Sequence, residues 1–471
     1  MATTDQDRLI KVGDPRMSGL DRFFKISERG SSVRTEVIAG FATWLTMAYI
    51  LFVNPAILGA VPDRAGTVLA FPQVLTVTAL VAGIMTLAMG IYANYPFAIA
   101  AGLGLNAFVA FTLVATLGLT WPEAMGVILI EGIIISVLVL TGFREAVLNA
   151  IPMDLKRAIG IGIGLFLSII GLVNGGIVVA GTGTVVTLAP DLSTLKVLTF
   201  VVGLAVTATL VTRKMRGGLL IGILATTVFA IILNQGFGHS AIWPDGIAHI
   251  PSKIVASPDF GLFGKVNFGV FDVLGLATAA AAILAVMLSD FFDTMGTVVG
   301  LADEAGLLDK EGKLPGINRV LLVDSVAAAA GGVASASSNT TFIESAAGIS
   351  EGGRTGLTSV IVGGLFLLAI FFSPIAGVIP AEATAPVLVI VGYFMMQSVG
   401  EISWRDPAVG IPALLTIVMM PFTYSITNGV GAGFLAYVAI KLLQGKFREV
   451  HPLLYVVAGV FAWYFVHGLL A

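Results

Sequence analysis

The sequence predicts an all-α polytopic membrane protein with fourteen spans in two inverted seven-span repeats, and three observations lead there. First, 57% of the 471 residues are hydrophobic and only 11% are charged, with a mean hydropathy of +0.99. Soluble domains carry about a quarter charged residues. Second, the apolar stretches have the length a bilayer needs, roughly 20 residues for a hydrocarbon core about 30 Å thick. Third, the basic residues between these stretches fall on alternate sides, as orientation in a membrane requires.

The spans fall near 36–58, 70–92, 98–118, 122–141, 154–173, 196–212, 217–235, 270–300, 316–335, 340–350, 355–373, 383–400, 407–424 and 428–444. A further apolar stretch from His451 to Leu470 reads equally as a span, a hairpin or a surface helix. With the N-terminus cytoplasmic, the segments Arg8–Arg34, Arg144–Arg157, Arg213–Arg216, Lys310–Arg319, Arg354, Arg405 and Lys441–Arg448 all face the cytoplasm. They hold 21 of the 25 Lys and Arg residues; only Arg64, Lys196, Lys253 and Lys265 fall outside. A missed span would have broken this alternation downstream. The polar first thirty residues lack an apolar core, so no cleavable signal peptide is expected.

Several chemistries are excluded at this level. There are no cysteines, hence no disulfide, thiolate catalysis or Cys-bound metal. The net charge of −3 says nothing about nucleic acid, but no basic stripe with interleaved aromatics appears, so no nucleic-acid partner is expected. His239, His249, His451 and His467 lack ligand spacing, so no metal and no cofactor are expected. The run from Gly102 fits G-x-G-x-x-A but has no βαβ unit around it.

Residues 236–269 carry Trp243, Pro244, Pro251 and Pro258 without helical period and divide the chain. The organisation is then a polar cytoplasmic segment 1–35, a first repeat 36–235, an external connector 236–269, a second repeat 270–445 and an apolar C-terminal segment 446–471. Seven spans per half is odd, so the halves are inverted, the usual plan of secondary transporters. The third span of each half is short and interrupted: Pro96–Phe108 and Ser338–Ser350. Paired broken helices at corresponding places point to a midplane binding site, because half-helix tips present unpaired N–H groups. The extended residues Phe97–Ala101 and Asn339–Ile343 are expected to offer amides to a planar polar ligand, with Asn106, Asn339, Thr340 and Thr341 adding side-chain hydrogen bonds.

Two acids stand in this apolar setting, Asp293 and Glu344. A carboxylate at a helix centre costs roughly 2.5–3.5 kcal/mol on insertion scales, so both should face a cavity or a partner. Asp290 reads as a structural hydrogen-bonder or a site residue, and Asn106 as a ligand contact or a helix-break cap. Tyr49 and Asn54, beside Pro55, read as lining residues or as parts of a plain kink. Asp303, Glu304, Asp309 and Glu351 lie at the cytoplasmic ends of spans 8 and 10 and read as solvated or as a cytoplasmic gate.

Four stretches together resemble the AzgA-type purine permeases, the adenine/guanine/hypoxanthine branch of the nucleobase transporters. They are Gly40–Leu58 (GFATWLTMAYILFVNPAIL), Ala101–Phe111 (AGLGLNAFVAF), Phe291–Thr297 (FFDTMGT) and Thr340–Gly356 (TTFIESAAGISEGGRTG). The resemblance implies the uracil/xanthine permease fold, with a core domain (36–141 plus 270–373), a gate domain (142–235 plus 374–445) and a base held between spans 3 and 10. Carried onto this chain, the span-8 acid is Asp293 and the span-10 acid is Glu344, with Thr297 one turn from Asp293. Ala101 stands where the family motif has proline.

The expectation is therefore uptake of purine nucleobases by an integral protein of the cell (inner or plasma) membrane, not an enzyme, with a homodimer allowed for. The base contacts expected are Glu344, Asp293, Thr297, Phe342, Ile343, Thr341, Ala101, Gly102 and Asn106, with Thr340, Asn339, Asp290 and Tyr49 behind them. Carboxylates accept the N–H groups of a purine in charge-assisted hydrogen bonds. Asp293 or Glu344 is expected to carry the coupling proton, sodium being the rival ion. An anion transporter or channel on the same inverted plan is the alternative, disfavoured by two carboxylates at the site.

Overall fold

The structure is a computed structural model and describes residues 19–141, 151–181, 183–236, 242–243, 246–251, 253–310 and 313–470. Of the readings above, Arg8, Arg144, His239 and Pro244 lie outside the described residues. Among those described, eleven helices are long and apolar enough to cross a membrane, and three shorter apolar helices accompany them.

After a short helix, Gly19–Phe24, the chain runs α1 (Val33–Leu58) and α2 (Phe71–Ala93), then strand β1 (Ile99–Ala101) and α3 (Leu103–Thr116). Next come α4 (Trp121–Leu140), α5 (Met153–Asn174), a hairpin of β2 (Val178–Ala180) and β3 (Val186–Leu188), α6 (Leu195–Thr212) and α7 (Gly218–Gln235). Beyond the connector lie α8 (Val270–Glu304), α9 (Ile317–Ala334), β4 (Asn339–Thr341), a 3₁₀ turn (Ile343–Ser345) and α10 (Ala346–Ser350). The chain ends with α11 (Gly356–Ala376), α12 (Ala381–Glu401), α13 (Pro407–Thr423), α14 (Ile426–Leu443) and α15 (Pro452–Leu470).

Local sequence sets many of these boundaries. Ser32 caps α1 by accepting from Thr35 N, and Thr120 with Glu123 forms a reciprocal capping box on α4, each meeting backbone donors that a helix start leaves unpaired. Asp406 and Ser425 cap α13 and α14 in the same way. Inside α8, Gly275 adopts φ +69°, a left-handed conformation that breaks the helix and that glycine takes without Cβ strain.

The heaviest helix packing falls into two groups: α1, α2, α4, α8, α9 and α11 in one, and α5, α6, α7, α12, α13 and α14 in the other. Small residues allow the tightest crossings, as they do between membrane helices generally. Where α2 meets α11, a methyl on Gly363 would stand 2.7 Å from the Gly83 carbonyl oxygen, so position 363 needs glycine. Wholly buried Glu36 ties α1 to the start of α11, accepting from the backbone N–H of Arg354 (3.0 Å), Thr355 (3.2 Å) and Thr358 (3.3 Å). Between the groups, Arg216 pairs with Glu351, so of the two readings open to this acid the plainly solvated one does not hold.

The C-terminal stretch left open above is a helix packed on α14 and α8, with Tyr464 Oη donating to Asn428 Oδ1 at 2.8 Å.

At the centre, β1 and β4 pair antiparallel, Ile99 with Thr341, Ala100 with Thr340 and Ala101 with Asn339, all six residues buried. Gly102 N donating to Ser338 O (3.0 Å) and Phe342 N donating to Ala98 O (2.9 Å) extend the ladder. Backbone that leaves its helix at membrane depth must find partners inside the protein. Here the two broken segments supply each other.

Candidate functional site

The strand pair changes what the broken helices can offer. The amides of Phe97–Ala101 and Asn339–Ile343 were expected to meet a ligand, but cross-strand bonds occupy much of this backbone. The side chains of β4 are committed as well. Asp324 on α9 accepts from Thr341 N and Thr341 Oγ1, both at 2.8 Å, and from Thr294 Oγ1 at 2.6 Å, while Thr294 and Thr340 hydroxyls lie 2.8 Å apart. Asn339 Nδ2 donates to Ser337 O at 3.0 Å. Ala101, Gly102 and Asn106 are buried beside this pair and do not line the cavity described below.

A second buried set lies next to it. Ser338 Oγ donates to Asp290 Oδ2 (3.3 Å) and to Glu131 Oε2 on α4 (3.5 Å). Asp290 thus serves the inside of the helix array, although it stands three residues from Asp293.

Asp293 points the other way. Ser289, Asp293, Gly296 and Thr297 recur along one face of α8 and line a cavity of about 460 Å³. Lys156, Ile159, Gly160 and Ile163 of α5 form the opposite wall, with Phe394, Met395 and Ser398 of α12, while Gly104, Leu105 and Ile343 close it near the broken helices. The cavity therefore separates the two packing groups. Its size falls in the range of small-ligand sites, about 300–1,000 Å³. Cβ atoms added at Gly160 or Gly296 would find nothing within 4 Å, so both walls leave open space.

Among the described residues no hydrogen bond or ion pair holds the Asp293 carboxyl, which is exposed to this cavity. Glu344 lies at its edge, half-buried, where Tyr49 Oη donates to Oε1 at 2.5 Å. Tyr49 is itself 1% exposed. It therefore fixes the carboxyl from below, a role closer to the site than a plain kink. Asn54 is a packing residue, donating to Thr78 Oγ1 at 2.7 Å and to Ala336 O at 3.2 Å. Phe342, expected to wall the ring, is 6% exposed and packs inward; Phe292 lines the cavity instead.

The structure thus brings Asp293, Thr297 and Ile343 together around one space, with Glu344 and Tyr49 beside it. It places Ala101, Gly102, Asn106, Asn339, Thr340, Thr341 and Asp290 in the supporting framework. Sequence reasoning missed Glu131, Asp324 and Lys156. The first two were open to the same argument from intramembrane acids that singled out Asp293.

Among the described residues no group of three or more His, Cys, Asp or Glu side chains could hold a metal ion.

Comparison with known proteins agrees with this architecture. The Xan_ur_permease model, described as Permease family, matches residues 34–431. The adenine permease AdeQ of Escherichia coli (strain K12) is 41% identical over 94% of this chain and 95% of its own. The guanine/hypoxanthine permease PbuG of Bacillus subtilis (strain 168) is 40% identical over 94% of this chain and 99% of its own. Among solved structures, the transmembrane domain of the cyanobacterial bicarbonate transporter BicA aligns with a TM-score of 0.60 at 14% identity, covering 85% of this chain and 97% of that one, a likeness of fold alone. A helical, multi-pass chain matched along nearly its whole length by permeases is a transporter and not an enzyme, and it belongs to the Xan_ur_permease family, among the nucleobase transporters.

Proposed function

We propose that the protein carries purine nucleobases into the cell by cation symport, with a proton as the coupling ion. One observation carries this reading: among the described residues Asp293 faces a cavity without a protein partner, whereas Glu36, Glu131, Asp324 and Glu344 all have donors. A carboxyl left open at membrane depth calls for an N–H donor, a cation or a proton. A purine supplies the first on a flat apolar body that suits the open space beside Gly160 and Gly296. Relatives named as adenine and guanine/hypoxanthine permeases support the same substrate class.

In this reading Asp293 accepts from the base, Thr297 adds a hydroxyl on the same face, and Glu344, steadied by Tyr49, completes the acidic edge. The coupling ion shares the Asp293–Glu344 pair. α1–α14 are fourteen spans, with α1–α7 and α8–α14 as inverted repeats. The antiparallel meeting of β1 and β4, ahead of α3 and α10 in corresponding places, supports that symmetry. The packing group containing α8 moves as a core against the group containing α5 and α12, exposing the cavity to each side in turn. The N-terminus lies in the cytoplasm, on the strength of the loop charges.

Uptake of labelled hypoxanthine in a strain lacking its own carriers, challenged with a panel of purines and pyrimidines, tests the substrate class. Purines should compete, and uracil winning would overturn the assignment. Raising external pH or adding a protonophore should abolish accumulation, while replacing sodium with choline should not. Indifference to pH and protonophore would defeat proton coupling.

A further inference from the structure

Lys156 stands in the first turn of α5, on the wall opposite Asp293, and its side chain lines the same cavity. Its ammonium nitrogen lies 5.5 Å from the centroid of the Phe292 ring, which also lines the space. Among the described residues no hydrogen bond or ion pair engages that nitrogen. At the boundary of its span, Lys156 thus reaches into the cavity with, among the described residues, only an aromatic face against its ammonium.

The cavity is thus polar in two opposite senses. A lysine ammonium has three donors and no acceptor, whereas an ionised carboxylate only accepts. A ligand bridging them must present N–H groups on one edge and acceptors on the other.

We propose that Lys156 reads the oxygen at position six of the base, so that the carrier selects 6-oxopurines over adenine. This rests on the purine reading given above and sharpens it. Hypoxanthine and guanine carry N1–H, joined in guanine by the 2-amino group, for the Asp293 side, and O6 with N7 for the ammonium. Adenine carries an amino group where they carry O6, which sets donor against donor. Lysine on the O6/N7 edge is among the common specific contacts to guanine in nucleic-acid recognition, and a well-made contact of this kind discriminates by on the order of tenfold or more. The permeases this chain resembles divide between adenine and guanine/hypoxanthine at nearly equal identity, so overall likeness does not decide the matter.

The test is competitive uptake by the full-length protein in proteoliposomes, measuring KM for hypoxanthine, guanine, adenine and unsubstituted purine. Wild type, Lys156→Met and Lys156→Arg are compared at matched levels of inserted protein. The wild type should favour hypoxanthine and guanine over adenine by about tenfold, with purine, which lacks O6, grouped with adenine. Lys156→Met should collapse the ratio towards one, mainly by raising the KM of the oxopurines, and Lys156→Arg should retain most of it. A wild type that takes adenine as well as hypoxanthine overturns the proposal. So does a Lys156→Met variant in which all purines weaken alike, since the lysine would then only balance the charge of Asp293. Should the methionine variant fail to insert, the wild-type series and the arginine variant still decide. If inserted wild type transports no purine at all, the broader reading of the substrate class fails first.

Discussion

Asp324 and Asp293 both interrupt apolar helices, yet their surroundings are opposite. Asp324 receives three hydrogen bonds and pins β4 to α9, while Asp293 meets open cavity. The contrast separates two uses of a carboxyl inside a membrane. Ringed by donors, it is a structural clamp holding non-helical backbone away from lipid; left open, it has free-energy capacity to spend on something that arrives. Thr294 donates into the first set and is the next residue after Asp293, so adjacent positions on one helix serve the framework and the cavity separately.

This contrast predicts where substitutions should act. The largest effect is expected from Asp324→Ala, which strands three buried donors; a loss of about 3–5 kcal/mol should appear as poor insertion and a sharply lower melting temperature in detergent. Asp293→Asn should do the reverse: uptake down about a hundredfold, with the melting temperature within a few degrees of wild type. If Asp293→Asn destabilised the protein as much as Asp324→Ala, the distinction between the two acids would be falsified. Tyr49→Phe removes the donor that steadies Glu344, and an increase in KM of about tenfold is expected at unchanged protein level. Arg216→Gln severs the exposed link to Glu351 between the two packing groups and should change transport rate by less than about threefold, with little change in KM.

The smallest effect concerns pH at the rim. Lys441 Nζ donates to Glu449 Oε2 at 2.7 Å, and this hydrogen bond holds the Glu449 carboxyl below its usual range. A lowered value contributes stability above the ordinary carboxylate pKa, and this is lost as pH falls through the folded value. Glu449→Gln should therefore be slightly less stable than wild type near neutrality, and the two melting temperatures should converge as the medium is acidified from about pH 5 to about pH 3.

Much of this was legible in the sequence. Helix positions followed from apolar length and alternating loop charge, and the interruptions near Ala101 and Thr341 from short polar-broken spans. Asp293 stood out because nothing nearby in the chain could neutralise it. What was hidden depended on distance along the chain. The pairing of β1 with β4 joins segments from opposite halves, and no local pattern announces a three-residue ladder. Asp324 and Glu131 sit singly in runs apolar enough to pass any hydropathy window. Lys156 was counted among loop charges, because a basic residue at a span boundary reads as topology until a cavity is seen beside it. Phe292 as a cavity wall in place of Phe342 was hidden too, since the two rings sit on different elements and only the packing of those elements decides which one meets the space.

The ladder between β1 and β4 also bears on the order of biogenesis. A ribosome delivers Ile99–Ala101 long before Asn339–Thr341 exists, and until then the earlier segment's peptide groups have no mate in hydrocarbon, at a cost of several kcal/mol for each one stranded. The third helix of a nascent chain must therefore wait in the translocon, at the interface or in the care of an insertion factor, and the N-terminal half expressed alone should remain protease-sensitive around Ile99 until the C-terminal half is supplied in trans.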